Sequence, residues 1–164
     1  MIFLSHSQYK NLRAERFRGG GRMDEIDKTL VELLQKNARM QLKQLAPHVF
    51  LSPPAVAARI EKLEQSGIIT GYHASVNPEK LGYPIMAFIE LTMDPEMKNE
   101  FMEFIQGTKN VTECYHVAGA YSMLIKAVYP TPTELNSFVG SLQRFGKTQT
   151  QIVFSTVVAP REII

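Results

Sequence analysis

The spacing of apolar residues changes once along this chain, and that change limits what the chain can fold into. From Ile26 to Leu63 they recur at three- and four-residue intervals; past Asn77-Pro78 and Gly82-Tyr83-Pro84 they alternate. The first spacing fits helices and the second fits strands. A helical domain over residues 23–77 and a sheet-containing domain over 78–164 are therefore expected. The 22 residues ahead of them show neither period, and they end in Gly19, Gly20 and Gly21. They read as a flexible basic extension, dispensable for folding and oligomeric state, that need not be the native start.

Three helices are expected in the first domain. Asp24 is a good N-cap for a helix carrying Ile26, Leu30, Leu33 and Leu34 up to about Asn37. A short second helix covers Leu42 to Val49, with Pro47 expected to bend or shorten it. Phe50 follows at a turn where a glycine would be easier, so the turn must avoid positive φ or accept strain. Ser52 then caps a third helix by accepting from its first-turn amides, with Pro53 at the first helical position, Val56, Ile60 and Leu63 inward and Gly67 as the stop. Ile68 to Val76 is rich in β-branched residues around Gly71 and reads as a small hairpin. Three helices and a hairpin make a winged helix-turn-helix, while a plain three-helix bundle stays open on pattern alone.

The second domain reads strand, helix, strand, strand, helix, strand. Ile85–Met93, Val111–Val117, Ser122–Tyr129 and Thr148–Val158 are the strands; helices begin at Pro95-Glu96 and at Thr131. Two successive strand-helix-strand units give the ferredoxin-like βαββαβ arrangement. The fold class is α+β. Its helices cover one sheet face, and apolar residues in all four strands make face-to-face dimerisation the expected fate of the other.

The net charge of +2 hides an uneven distribution: residues 1–22 hold five bases and one acid, 23–80 seven of each, and 81–164 six bases and eight acids. The body is not a basic protein. Catalysis finds little support, because His6, His48, His73 and His116 are scattered without ligand spacing and no phosphate loop, nucleophile elbow or paired carboxylates occur. No enzyme, cofactor or metal is expected. Cys114 stands alone, which excludes an intramolecular disulfide and fits a buried small hydrophobe. No apolar run nears the roughly 20 residues that span a bilayer, and no signal peptide opens the chain, so a soluble cytoplasmic protein without membrane contact is expected.

The stretch LSPPAVAARIEKLEQSGIITGY, followed by NPEKLGYP, closely resembles the DNA-binding half of the Lrp/AsnC family of leucine- and asparagine-responsive regulators. Leu51-Ser52, Val56 to Glu64, Gly67 to Ile69 and Leu81-Gly82 carry the match, and the opening at Met23 extends it to residues 23 to about 160. The resemblance implies a transcriptional regulator that binds double-stranded DNA and assembles as a homodimer or octamer. It also implies an amino-acid or related small-molecule effector near the loop Gly119-Ala120-Tyr121-Ser122. There the family usually carries Asp where this chain has Ser122, which leaves loss of the response and a different effector both open. An architectural DNA-wrapping protein with little effector control is the alternative.

For DNA contact the candidates are Ser52, Pro54, Ala55, Ala58, Arg59 and Lys62. Only Arg59 and Lys62 carry long donors: Arg59 suits a guanine edge or a phosphate, Lys62 a phosphate, and either is also compatible with a solvated surface charge. With so few base contacts, recognition is expected to lean on the bending of A·T-rich sites.

Overall fold

The computed structural model describes residues 23–161 and 163; the expectation for residues 1–22 lies outside them. Two units divide the described residues. One runs to Ala74 and takes in the chain end from Pro160, and the other is Ser75–Ala159.

The first unit is three helices: α1 Glu25–Lys36, α2 Leu42–Val49 and α3 Pro53–Gln65. Asp24 opens α1 with a reciprocal cap, its carboxylate accepting from the Asp27 amide at 2.8 Å while Asp27 accepts from the Asp24 amide. Leu30, Leu34, Leu45, Val49, Val56 and Leu63 meet in a closed core. Pro47 removes one backbone donor inside α2, and the helix ends two residues later at Val49. The turn closes on the last turn of the helix, the amides of Phe50 and Leu51 both donating to the Ala46 carbonyl. Phe50 adopts φ 52° and ψ 39°, the left-handed region, at a strain of about 1 kcal/mol. Among the described residues no packing of the Phe50 side chain offsets that strain, since it is 95% exposed.

Two expectations for this unit need correction. Ser52 makes no side-chain cap bond: Pro54 at the second helical position has no N–H to offer, and the hydroxyl does not reach the Ala55 amide at the third. The hairpin over Ile68–Val76 is not formed either: the segment carries no strand pairing. A two-stranded ribbon is marginal in water by itself, and Gly71 at the centre weakens it further. The segment is pinned at its base, where the Ile68 and Ile69 amides donate to the Leu63 carbonyl, and at Tyr72, whose hydroxyl donates to Glu64 at 2.8 Å. Burial, followed by the Glu64 carboxylate, pushes the Tyr72 phenol up to about 12.

The second unit holds β1 Ile85–Met93, α4 Lys98–Gly107, β2 Val111–His116, β3 Met123–Tyr129, α5 Pro132–Leu142 and β4 Gly146–Ile152. The sheet is antiparallel in the order β2-β3-β1-β4, the ferredoxin-like arrangement. Alternate residues of the central strands, among them Ala87, Ile89, Leu91, Ile125 and Ala127, face the helices and pack on Phe101, Phe138, Leu142 and Phe145. Gly146 starts β4 at φ 150°, against the β1 backbone, and a Cβ there would collide with the Thr92 carbonyl.

β4 stops at Ile152, six residues short of the expected end. Its register pairs Ile152 with Ala87, and the Val153 amide still reaches the Met86 carbonyl. Two residues further the partner would be Pro84, which has no N–H to donate. The far sheet face is less apolar than expected. Met86, Phe88, Leu124 and Val128 form a half-buried stripe on β1 and β3, but β4 contributes Lys147, Gln149 and Gln151, and β2 contributes Glu113 and Tyr115. Cys114 on the edge strand β2 keeps solvent contact rather than joining the core, although partial burial pushes its thiol up to about 11. Among the described residues no helix is long and apolar enough to cross a membrane.

Candidate functional site

The outward face of α3 follows from helical spacing. Pro54, Ala58, Glu61, Lys62 and Gln65 recur at three- and four-residue steps and are all exposed, with Ser52 exposed at the helix entrance and Ala55 half-buried beside them. Glu61 and Gln65 had not been singled out from the sequence. Gln65 Nε2 donates to Glu61 Oε1 at 3.1 Å, so the C-terminal half of the face carries the hydrogen-bonding groups and the first turn carries small side chains. Stepping by three from Ala58 to Glu61, and then by four to Gln65, would have found them.

Arg59 is not on it. Its Nη1 donates to Asp24 Oδ2 at 2.7 Å and to Asp27 Oδ1 at 2.8 Å, so the guanidinium turns back onto the start of α1. Asp27 is the better covered of the two acids. The pair raises the Arg59 pKa, while the Asp27 amide and then Arg59 hold the Asp24 carboxyl below its ordinary value. Sequence reading saw a cation at a helical position but not the acids 35 and 32 residues upstream. Arg59 therefore ties α3 to α1, and Lys62 is the long cation left on the outward face.

The loop from Gly119 to Ser122 is also largely engaged with its own chain. Ser122 Oγ accepts from the Met93 amide at 2.8 Å and donates to the Leu91 carbonyl at 3.1 Å, and the Ser122 amide donates to the same carbonyl. Tyr121 donates to Gln149 at 2.6 Å, and Thr92 donates to the Ala120 carbonyl. Gly119 and Ala120 remain exposed. The expected effector residues are thus together, without a charged side chain among them. A cleft of about 500 Å³ in this unit is lined by Ser75, Asn77, Tyr83, Met86, Phe154 and neighbours, and not by the loop.

The AsnC-type helix-turn-helix domain matches residues 23–64, and the Lrp/AsnC ligand binding domain matches residues 86–163. The chain belongs to the Lrp/AsnC family. It is similar to the HTH-type transcriptional regulator LrpC of Bacillus subtilis strain 168, at 31% identity over 83% of this chain and 94% of LrpC. The solved LrpC structure matches it with a TM-score of 0.80 at 30% identity, over 85% of this chain and 100% of that one. The FL11 regulator of Pyrococcus furiosus is 35% identical over 81% of this chain and 90% of its own. A Neisseria meningitidis transcriptional regulator in complex with L-Met shares the fold, with a TM-score of 0.78 at 24% identity over 84% of this chain and 94% of that one.

As an Lrp/AsnC protein the chain is a DNA-binding transcriptional regulator with a ligand-binding domain. Its helix-turn-helix is α2, the turn at Phe50-Leu51 and α3. Among the described residues no cluster of His, Cys, Asp and Glu is placed to hold a metal ion.

Proposed function

We propose that this regulator acts as an oligomer that lays α3 in the major groove, contacting DNA through Ser52, Pro54, Ala55, Ala58 and Lys62 while Arg59 fixes the angle of the helix. The observation that carries this reading is the exposed α3 face, small at its N-terminal turn and bearing Lys62 further along. A helix reads base edges from its N-terminal residues, and small side chains allow close approach. Alanine methyls meet thymine methyls but cannot hydrogen-bond a base edge, so specificity leans on A·T-rich shape and on several copies acting together. The half-buried stripe of Met86, Phe88, Leu124 and Val128 supports pairing of two copies through the sheet, as a dimer or within a larger ring.

The ligand-binding domain and the L-Met complex of the Neisseria meningitidis relative favour an amino acid as effector. Ser122 favours the second reading, an architectural regulator with little effector control, because its hydroxyl already has a donor and an acceptor. Melting curves with each of the twenty amino acids separate the two. Selective stabilisation by one of them supports effector control, and silence beside tight duplex binding supports the architectural reading. Anisotropy of labelled duplexes at several salt concentrations tests the interface itself: Lys62→Ala should weaken all sequences alike and flatten the salt slope by about one unit per protomer. Unchanged affinity and slope would remove Lys62 from the DNA contact.

A further inference from the structure

Phe50 is the one side chain of the helix-turn-helix that strains its backbone and buries nothing in return. Its φ of 52° belongs to the left-handed region, where a residue without a Cβ would sit freely. Its side chain is 95% exposed, whereas Leu42, Ile68 and Tyr72 of the same unit keep more than half of their surface covered. The turn does not need the ring: the amides of Phe50 and Leu51 close α2 onto the Ala46 carbonyl, and a glycine would close it equally well. What the ring does lies outside the described residues.

We propose that Phe50 is a DNA contact, its ring packing on the methyl and sugar edge of the duplex beside the α3 face. This rests on the reading that α3 binds DNA, and it adds a residue of the turn to the interface. Phe50 stands two residues ahead of Ser52, and the first two turns of α3 present only Pro54, Ala55 and Ala58 on the outward face, with no long side chain to hold the helix away from the groove. A helix that approaches closely brings the preceding turn with it. An aromatic ring there meets thymine C5-methyl groups and deoxyribose, which are apolar surfaces of suitable size. A protein partner would call for a wider apolar patch, and the exposed residues beside Phe50 in sequence, Pro47, His48, Ser52 and Pro54, mix apolar with polar side chains.

The experiment uses the full chain and duplexes that it selects from a random-core pool, each synthesised with thymine and with deoxyuridine in the core. Four proteins are compared: wild type, Phe50→Gly, Phe50→Ala and Lys62→Ala. Phe50→Gly should melt higher than wild type, because the strain is relieved, yet bind about fivefold to tenfold more weakly. Phe50→Ala should lose the same affinity without the gain in melting temperature. If the ring meets thymine methyls, deoxyuridine should weaken wild type but not the Phe50 variants; if it meets deoxyribose, both duplex forms should show the same loss.

Wild-type affinity in both Phe50 variants, with Lys62→Ala weakened, overturns the proposal and leaves the α3 reading intact. A wild type that selects no duplex sinks that reading as well. A change of oligomer size in the Phe50 variants, with duplex affinity per assembly unchanged, assigns the ring to a protein contact and also overturns the proposal.

Discussion

Ser52 stands at the entrance to α3 with no cap bond from its hydroxyl, whereas Ser122 closes the β2–β3 turn with its hydroxyl both accepting from Met93 and donating to Leu91. From the chain alone the first looked like the structural serine and the second like the one open to a ligand. Their neighbours reverse the roles. Pro54 removes one of the two amides that Ser52 would have capped, and the end of β1 presents to Ser122 the Met93 amide and the Leu91 carbonyl. A hydroxyl serves whatever donors and acceptors the fold brings to it, so position in a motif decides less than which groups nearby are left unpaired.

Removing each hydroxyl tests the contrast. Ser122→Ala leaves the half-buried Met93 amide without a partner and should lower stability by about 1–2 kcal/mol, read as a drop in the denaturation midpoint. A loss below a few tenths would mean that water replaces the hydroxyl and that Ser122 is free for other work.

Arg59→Ala comes next, at about 1 kcal/mol, because the guanidinium is only partly covered and its loss leaves Asp24 and Asp27 side by side. The variant should also weaken binding to every duplex by a similar factor, as expected for a residue that orients the helix. Loss of discrimination at a single base pair would instead place Arg59 on a base edge.

Acid should act on the same joint. The Asp24 carboxyl is held below its ordinary value in the folded chain, so its contribution is present above the unfolded pKa, near 3.8, and is lost as pH falls through the lower folded value. Glu113, lowered by Lys126 and Tyr115, acts in the same direction in the other unit. Urea midpoints between pH 5 and pH 2 should fall, and Arg59→Ala should make the fall shallower without abolishing it, since the Asp27 amide is the larger cause at Asp24. An acid limb of equal steepness in both proteins would detach Arg59 from that titration.

Ser52→Ala should have the smallest effect, under about 0.5 kcal/mol, where an ordinary N-cap serine is worth about 1. A loss of a full 1 kcal/mol would show that the hydroxyl finds an amide despite the prolines.

The helices of the first unit and all four strands were legible because their apolar residues repeat with the period of the element they form, as Leu30 and Leu34 do in α1 and Ile89 and Leu91 in β1. The hairpin at Ile68–Val76 and the last six residues expected of β4 were not. β-Branched composition reports a preference for extended backbone, while a strand also needs a partner, and Pro84 ends that partnership. Of the candidate residues, Lys62, Ala58 and Pro54 sit on the outward face as their spacing implies. The tie of Arg59 to Asp24 and Asp27 was not legible for a simpler reason: an ion pair between residues more than thirty apart leaves no local trace.

The paired prolines at the start of α3 have one more consequence. A helix N-terminus ordinarily holds phosphate through its free backbone N–H groups, and Pro53 and Pro54 take away two of the four. Phosphate attachment on this face then falls to its one outward cation, Lys62, so few condensed counterions are displaced by α3 and its docking should depend weakly on salt.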